Sequence, residues 1–259
     1  KQGAAGAIVH YPDVKRMLLT MRALTAAARA ICYATGVALD RSLRAKDEAA
    51  RKAAYERCSL LTPVAKAFST DIGVEVASLG VQVHGGMGFI EETGAAQHYR
   101  DARIASIYEG TNGIQALDLV TRKVPLEGGK TVALFIDELR RTAANAKASN
   151  APALGETAAR LGEAIDGLER ATQWLLTQKN SPAALAGATP YLRLFGKAAG
   201  GCMLADQALA AVRESGDAAP RVALARFFAE NIVVAAPGLE RAVIDGGQSV
   251  LTADSALAM

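Results

Sequence analysis

The stretch PDVKRMLLTMRALTAAARAICYATGVALDRS, residues 12–42, decides the fold class. Val14, Met17, Leu18, Met21, Leu24, Ala28, Ile31 and Cys32 recur at spacings of three and four, laying one wide apolar stripe along a helix. Pro12 followed by Asp13 suits a first helical turn. Proline lacks an N–H that would be unbonded there anyway, and the acid meets the positive end of the helix dipole. The pattern predicts a helix from about 13 to 42. The apolar run inside it, Leu24 to Leu39, contains Arg29 and is closed by Asp40 and Arg41. It is too short and too charged for the ~20 apolar residues of a bilayer crossing, so no membrane span is expected.

Working outward, the charged stretch Arg44 to Lys52 reads as a solvated turn and a new helix start. A second long helix is predicted over 53–84, with Pro63 as a restart or kink. Gly85-Gly86-Met87-Gly88 ends it, because glycine takes the left-handed cap conformation without penalty. Thr93 is expected to N-cap a short helix holding Gln97, Tyr99, Arg100, Asp101 and Arg103. Ile107 to Gly113 form a second glycine-containing loop, and Ile114, Leu117 and Val120 mark a helix ending near Pro125. Pro125, Gly128 and Gly129 then make a break that divides 1–124 from 125–259. Beyond it, helices at about 130–148, 156–178, 183–214 and 219–236 suggest an up-and-down bundle. Asn180-Ser181-Pro182 and Ser215-Gly216-Asp217 are its expected turns. Strand alternation is nearly absent. The expectation is an all-α chain of two helical regions, with no sheet of three or more strands.

Composition points the same way. Hydrophobic residues make up 51% of the 259 positions but aromatics only 5%, so burial must come from Ala, Leu, Val and Ile. Alanine is the best helix former and a poor strand former. Lys and Arg number 29 against 26 Asp and Glu, an excess too small to call for nucleic acid, and no basic tract is interleaved with aromatics. Cys32, Cys58 and Cys202 lie far apart and form no CxxC pair. They read as buried or inert thiols of a reducing compartment, the cytoplasm. No secretory signal opens the chain. His10, His84 and His98 form no HExxH pattern, so no metal is expected. The chain opens at Lys1-Gln2-Gly3 without methionine and reads as part of something larger.

Two loops could carry chemistry. Gly85-Gly86-Met87-Gly88 reads first as a helix cap and tight turn; it also permits close backbone approach to a phosphate, with Gln82 one turn earlier as an amide donor. Glu109 follows Ile104, Ile107 and Tyr108. A carboxylate held against apolar groups is disfavoured as an anion, which raises its pKa and makes it a usable general base. The plainer alternative is a solvated loop acid, or a helix N-terminal charge, next to Thr111 and Asn112. Arg100, Asp101 and Arg103 read as a structural Arg–Asp pairing, His84 as cap-region packing, and Trp174 as core beside Ile165, Leu168 and Leu175.

Three motifs taken together are more specific. Gln82-Val-His-Gly-Gly-Met-Gly-Phe89, Tyr99-Arg-Asp-Ala-Arg-Ile104 and Ile107-Tyr-Glu-Gly-Thr-Asn-Gly-Ile-Gln115 resemble, in order and spacing, the carboxy-terminal signature of acyl-CoA dehydrogenases. The similarity runs from about His10 to Lys123. It implies that Glu109 is the base that takes the α-proton of an acyl-CoA thioester while hydride passes from the β-carbon to FAD, giving a trans-2-enoyl-CoA. Gly110 would lie against the thioester. Thr111 and Gly113 match flavin-contacting positions with Asn112 between them. Gln82 and Gly86 match positions that touch the FAD of a neighbouring subunit, which implies a homo-oligomer, a dimer or tetramer. An electron-transferring flavoprotein is the implied electron acceptor.

The pattern also departs from the short members of that family. More than a hundred residues follow Pro125, resembling the helical extension of a longer bacterial subgroup that includes 3-methylmercaptopropionyl-CoA dehydrogenases. The family's amino-terminal helical domain, middle β-barrel and flavin-binding arginine are absent from this sequence, so the chain alone is expected to be inactive. Two further readings remain open at this level. An acyl-CoA oxidase shares base and flavin but passes electrons to oxygen, forming peroxide. A helical assembly module would leave Glu109 incidental and the protein colourless.

Overall fold

The computed structural model describes residues 6–214 and 217–258. Among them there is no strand, and nine helices of seven residues or more carry the fold. Helices α1 (Pro12–Arg44) and α2 (Glu48–His84) form a long antiparallel pair. Pro12 occupies the first turn of α1, as its ring geometry favours, with Asp13 beside it. Asp47 caps α2 by accepting from the Ala50 N–H at 2.7 Å. Pro63 does not restart the helix: α2 runs through it, and the residue is buried.

Past α2 the chain makes one further helical turn, Gly86–Phe89, and enters α3 (Ala95–Ile104). The cap expected of Thr93 is not found there. Gly94, in left-handed geometry (φ 75°), precedes α3, while the Thr93 hydroxyl donates backward to Met87 O at 2.7 Å. The short helix α4 (Asn112–Asp118) passes into a π-helical turn, Leu119–Lys123, before Pro125. The break at 125–129 is a 3₁₀ turn with Glu127, Gly128 and Gly129 all at positive φ.

The second segment contains α5 (Lys130–Ala148), α6 (Thr157–Gln178), α7 (Ala188–Arg213), α8 (Ala219–Asn231) and α9 (Ala236–Ile244). The helix expected over 183–214 is two pieces: Pro182–Ala186, capped by Ser181, and α7, divided at Gly187. The turn expected at Ser215-Gly216-Asp217 falls, for its first two residues, outside the described residues. Helix α9 extends the order beyond the expected end at 236, with Pro237 inside its first turn. By length and composition alone, Ala219–Ile244 would suffice to cross a membrane. In the fold it is broken at the 3₁₀ turn Val233–Ala235, and Val222, Ala225, Phe228 and Ala229 face the protein core.

Helix α7 is the hub. It packs against α5, α6, α8 and α9 and also against α1, α2 and α4, so one buried cluster runs from Ala23 to Val243 through both segments. Phe195 of α7 stacks on Phe135 of α5 at 5.2 Å between ring centres, with the edge of Tyr191 6.3 Å away. Trp174 lies half-buried against this cluster rather than inside it. All three cysteines are free; Cys202 is buried, whereas Cys32 is exposed on α1 and Cys58 half-buried, so burial holds for Cys202 alone.

Candidate active site

Glu109 sits in the turn that links α3 to α4, and the turn is built from unusual backbone. Its φ is +53° and that of Gly110 is +87°. The left-handed region is uncommon for a non-glycine residue and costs about 1–3 kcal/mol when the surroundings impose it. Here the surroundings do. The Gln115 side-chain amide donates to Glu109 O at 3.2 Å, Lys66 Nζ on α2 donates to Gly110 O at 2.7 Å, and the Asn112 N–H donates to Ser106 O at 3.1 Å. A Cβ at position 110 would come 3.2 Å from Gln115 Nε2, so glycine also keeps the bracing amide in place. Thr111 N-caps α4, its hydroxyl accepting from the Ile114 N–H at 3.4 Å. Among the described residues, no loop hydrogen bond uses the N–H of Glu109, Gly110 or Thr111. Three backbone donors beside one carboxylate are therefore left without a partner in the loop.

The apolar surround expected of that carboxylate is not supplied by this chain. Glu109 is exposed, and Ile104, Ile107 and Tyr108 are 58%, 47% and 53% exposed, on the outer side of the turn. Met87, Phe89, Ile90, Tyr99 and Ile114 add to the exposed apolar surface.

The structure brings Glu109, Gly110, Thr111, Asn112 and Gly113 into one turn beside Lys66, Thr70 and Asp71 of α2. It does not bring Gln82 and Gly86 there. From Asp71 to Gln82 is eleven helical residues, roughly 17 Å along the axis at about 1.5 Å each. Gln82 is exposed at that far end, and Gly85 caps the helix at φ 60°. Gly88 is a different case: an added Cβ would lie 2.3 Å from Val81 O, so this glycine is required by close packing onto α2. His84 Nδ1 lies 2.7 Å from Gly80 O within the same helix end. The pairing expected between Arg100 and Asp101 is replaced by Arg100 with Glu91, at 2.7 Å. Arg103 donates to Ser106 instead.

The sequence reading missed Lys66, Thr70, Asp71 and the role of Gln115. Lys66 and Thr70 are one turn apart on α2 and read as polar interruptions of an apolar pattern. Only the fold shows that they meet the Glu109 turn.

The comparisons with known proteins decide the family. Residues 1–124 match the model described as acyl-CoA dehydrogenase, C-terminal domain, and residues 135–254 match the one described as acetyl-CoA dehydrogenase C-terminal like. The chain belongs to the acyl-CoA dehydrogenase family. A 3-methylmercaptopropionyl-CoA dehydrogenase of Ruegeria pomeroyi is 45% identical over 254 residues, covering 95% of this chain and 43% of that protein. A butyryl-CoA dehydrogenase of Syntrophomonas wolfei is 29% identical over 244 residues, covering 90% of this chain and 40% of that protein. The chain thus spans under half the length of these curated relatives. An acyl-CoA dehydrogenase structure from Bacillus anthracis, complexed with FAD, superposes at a TM-score of 0.72 with 18% identity, over 95% of this chain and 44% of that one. The acyl-CoA dehydrogenase fold accounts for the α1–α2 pair and for the helices of the second segment alike.

Proposed function

We propose that the whole protein is an FAD-dependent acyl-CoA dehydrogenase that oxidises an acyl-CoA thioester to a trans-2-enoyl-CoA, with Glu109 as the base. The observation that carries this reading is the braced left-handed turn, which presents one carboxylate and unpaired backbone donors side by side. Glu109 takes the α-proton. The Glu109 N–H donates to the thioester carbonyl oxygen as negative charge grows there, and Gly110 leaves room for the thioester to approach. A positioned base contributes roughly 100- to 10,000-fold, and preorganised donors at a developing oxyanion supply the larger electrostatic share.

The residues present fit a flavin in one observable respect. Gly86 leaves open space where a Cβ would project, and at Gly113 the nearest atom is Thr111 Oγ1 at 3.9 Å. Thr111, Asn112 and Gly113 would hold the cofactor near the base. Gln82 and Gly86, displaced along α2, would hold that of a neighbouring subunit, which fits a homo-oligomer. FAD, when bound, supplies the two-electron acceptor for hydride leaving the β-carbon. An electron-transferring flavoprotein is the proposed onward acceptor, from the family resemblance, and the cytoplasm the proposed location, from the free cysteines.

The test is Glu109→Gln in the full-length protein, which keeps side-chain size and removes the proton acceptor. Flavin content should be unchanged, while bleaching of oxidised flavin at saturating acyl-CoA slows by at least roughly 100-fold. Glu109→Asp should fall between, since the shorter arm withdraws the carboxylate from the α-carbon. A Gln variant that reduces its flavin at the wild-type rate would exclude Glu109 as the base.

A further inference from the structure

Apart from Asn112, the polar cluster beneath the Glu109 turn has no part in the assignment above, and its hydrogen bonds form one connected set. The Asn112 side chain spends all its polar capacity on α2. Its Oδ1 accepts from Lys66 Nζ at 2.8 Å, and the two hydrogens of its Nδ2 are shared among three acceptors, Asp71 Oδ1 at 2.7 Å, Thr70 Oγ1 at 2.9 Å and Ala67 O at 3.1 Å. The partners dictate the amide's orientation. An ammonium on one side demands an acceptor, and a carboxylate on the other demands a donor, so only an amide of this length satisfies both. Thr70 donates back to Lys66 O at 2.8 Å and thereby presents its lone pairs to Asn112. The second oxygen of Asp71 faces Arg193 of α7 at 3.9 Å.

Lys66 links this cluster to the turn itself. Its ammonium bridges Asn112 Oδ1 and Gly110 O, the carbonyl one residue after Glu109. Hydrogen bonds from a charged donor are the stronger kind. Fixing the Gly110 carbonyl fixes the peptide plane that follows Gly110, and the Gln115 amide fixes the plane between Glu109 and Gly110. The two together hold Glu109 in a conformation that an unbraced glutamate leaves.

We propose that Lys66 and Asn112 are positioning residues for Glu109: they lock the turn to α2 and so set where the carboxylate stands. The proposal rests on the reading of Glu109 as the base. It also revises the expected role of Asn112, whose side chain serves the turn, leaving at most its backbone for a cofactor.

The experiment uses the full-length flavoprotein and 3-methylmercaptopropionyl-CoA, with butyryl-CoA as a second probe. Lys66→Met removes the ammonium and keeps the stem. Asn112→Asp keeps the shape but sets a carboxylate against Asp71. Both are compared with Glu109→Gln by anaerobic stopped-flow reduction of the flavin. A displacement of about 1 Å at a reacting group costs up to roughly 100-fold, so each variant should lose roughly 10- to 100-fold in the limiting rate. The half-saturating thioester concentration should stay within about threefold, because the lost interaction acts on the base and not on ground-state binding. Flavin content and melting temperature should stay near wild type. Wild-type limiting rates in both variants, with Glu109→Gln inactive, overturn the positioning role and leave the proposed function standing. A fully active Glu109→Gln overturns both. A joint fall of rate, flavin content and half-saturation marks general structural damage and also overturns the positioning role. If either variant fails to fold, Thr70→Val removes only one partner of Asn112 and should show the same split, with a smaller loss of rate.

Discussion

Lys197 carries a charge into the packed face of α7. Gly196, Ala198 and Ala199 beside it are buried, and the lysine itself is half-buried. Burial holds its amine below the ordinary lysine range; Glu75 opposes that shift and Arg193 adds to it. The sign of the consequence follows from proton counting. Between the folded and the unfolded pKa the unfolded chain binds more protons, so stability rises with pH across that window. Below the window Lys197 is charged in both states, and the folded state bears the whole desolvation penalty. Lys197→Met keeps the apolar stem and drops the charge. It should therefore raise the urea midpoint at about pH 7, with the gain shrinking as pH climbs toward the lysine reference of 10.5. Paired urea titrations near neutrality and near pH 10 measure this. A variant less stable at neutral pH would mean that attraction to Glu75 outweighs burial. Glu109 shows the opposite arrangement, an exposed charge whose backbone rather than its side chain is constrained.

Helices approach one another here as closely as their small residues allow, and α7 shows it most plainly. A Cβ at Gly196 would lie 2.3 Å from Phe68 Cδ2, one at Gly200 2.9 Å from Ala27 Cβ, and one at Gly201 2.7 Å from Leu161 Cδ2. Three helices of the fold thus press on one face-rich stretch of glycine. Gly196→Ala gains about 1 kcal/mol of helix propensity, but forcing a methyl against a buried ring costs about 1–3 kcal/mol. The clash should win, because Phe68 is 5% exposed and has nowhere to turn. Urea unfolding should show a net loss of up to roughly 2 kcal/mol, and Phe68→Leu in the same chain should recover part of it. An alanine variant as stable as wild type would show that α2 and α7 can part at little cost. The elements themselves were legible from sequence wherever a stripe was long: α1, α2, α5 and α6 fall within a few residues of expectation, apart from the earlier start of α2. What failed were junctions. Thr93 yields its cap to Gly94, Gly187 splits one expected helix, and α9 begins at Ala236, with Pro237 in its first turn, where the sequence pattern ends. Each depends on a neighbour distant in sequence or on backbone geometry that a periodic count does not register. The same holds for the candidate site: the Glu109 motif is local and readable, whereas Lys66 and Asp71 lie some forty residues away and join it only through packing.

Across the whole molecule, sequence units and packing units need not coincide. The family matches divide near residue 125, and a division at 124 and 125 remains our proposal for how the sequence is organised. The buried cluster, by contrast, is continuous: α7 of the second segment fills the groove that α1, α2 and α4 leave, and Arg57 of α2 pairs with Glu138 and lies 5.1 Å over the Phe135 ring of α5. Two segments that bury each other's apolar faces lose that burial together when either opens, so the 259-residue chain should unfold in one transition. Phe68 is the probe of choice, since it belongs to the first segment and its ring meets α7. Phe68→Ala removes most of a buried aromatic and should cost about 3–5 kcal/mol. The informative reading is where that loss is felt. Amide hydrogen exchange should speed up in α6 and α7 as much as in α1 and α2, because the slowest amides exchange through global opening. Circular dichroism and the fluorescence of Trp174, which sits on α6 against the shared cluster, should agree on one midpoint within the wild type and within the variant. If Trp174 keeps its wild-type midpoint while the helical signal splits in two, the segments fold separately and the shared core holds them together only after each has formed.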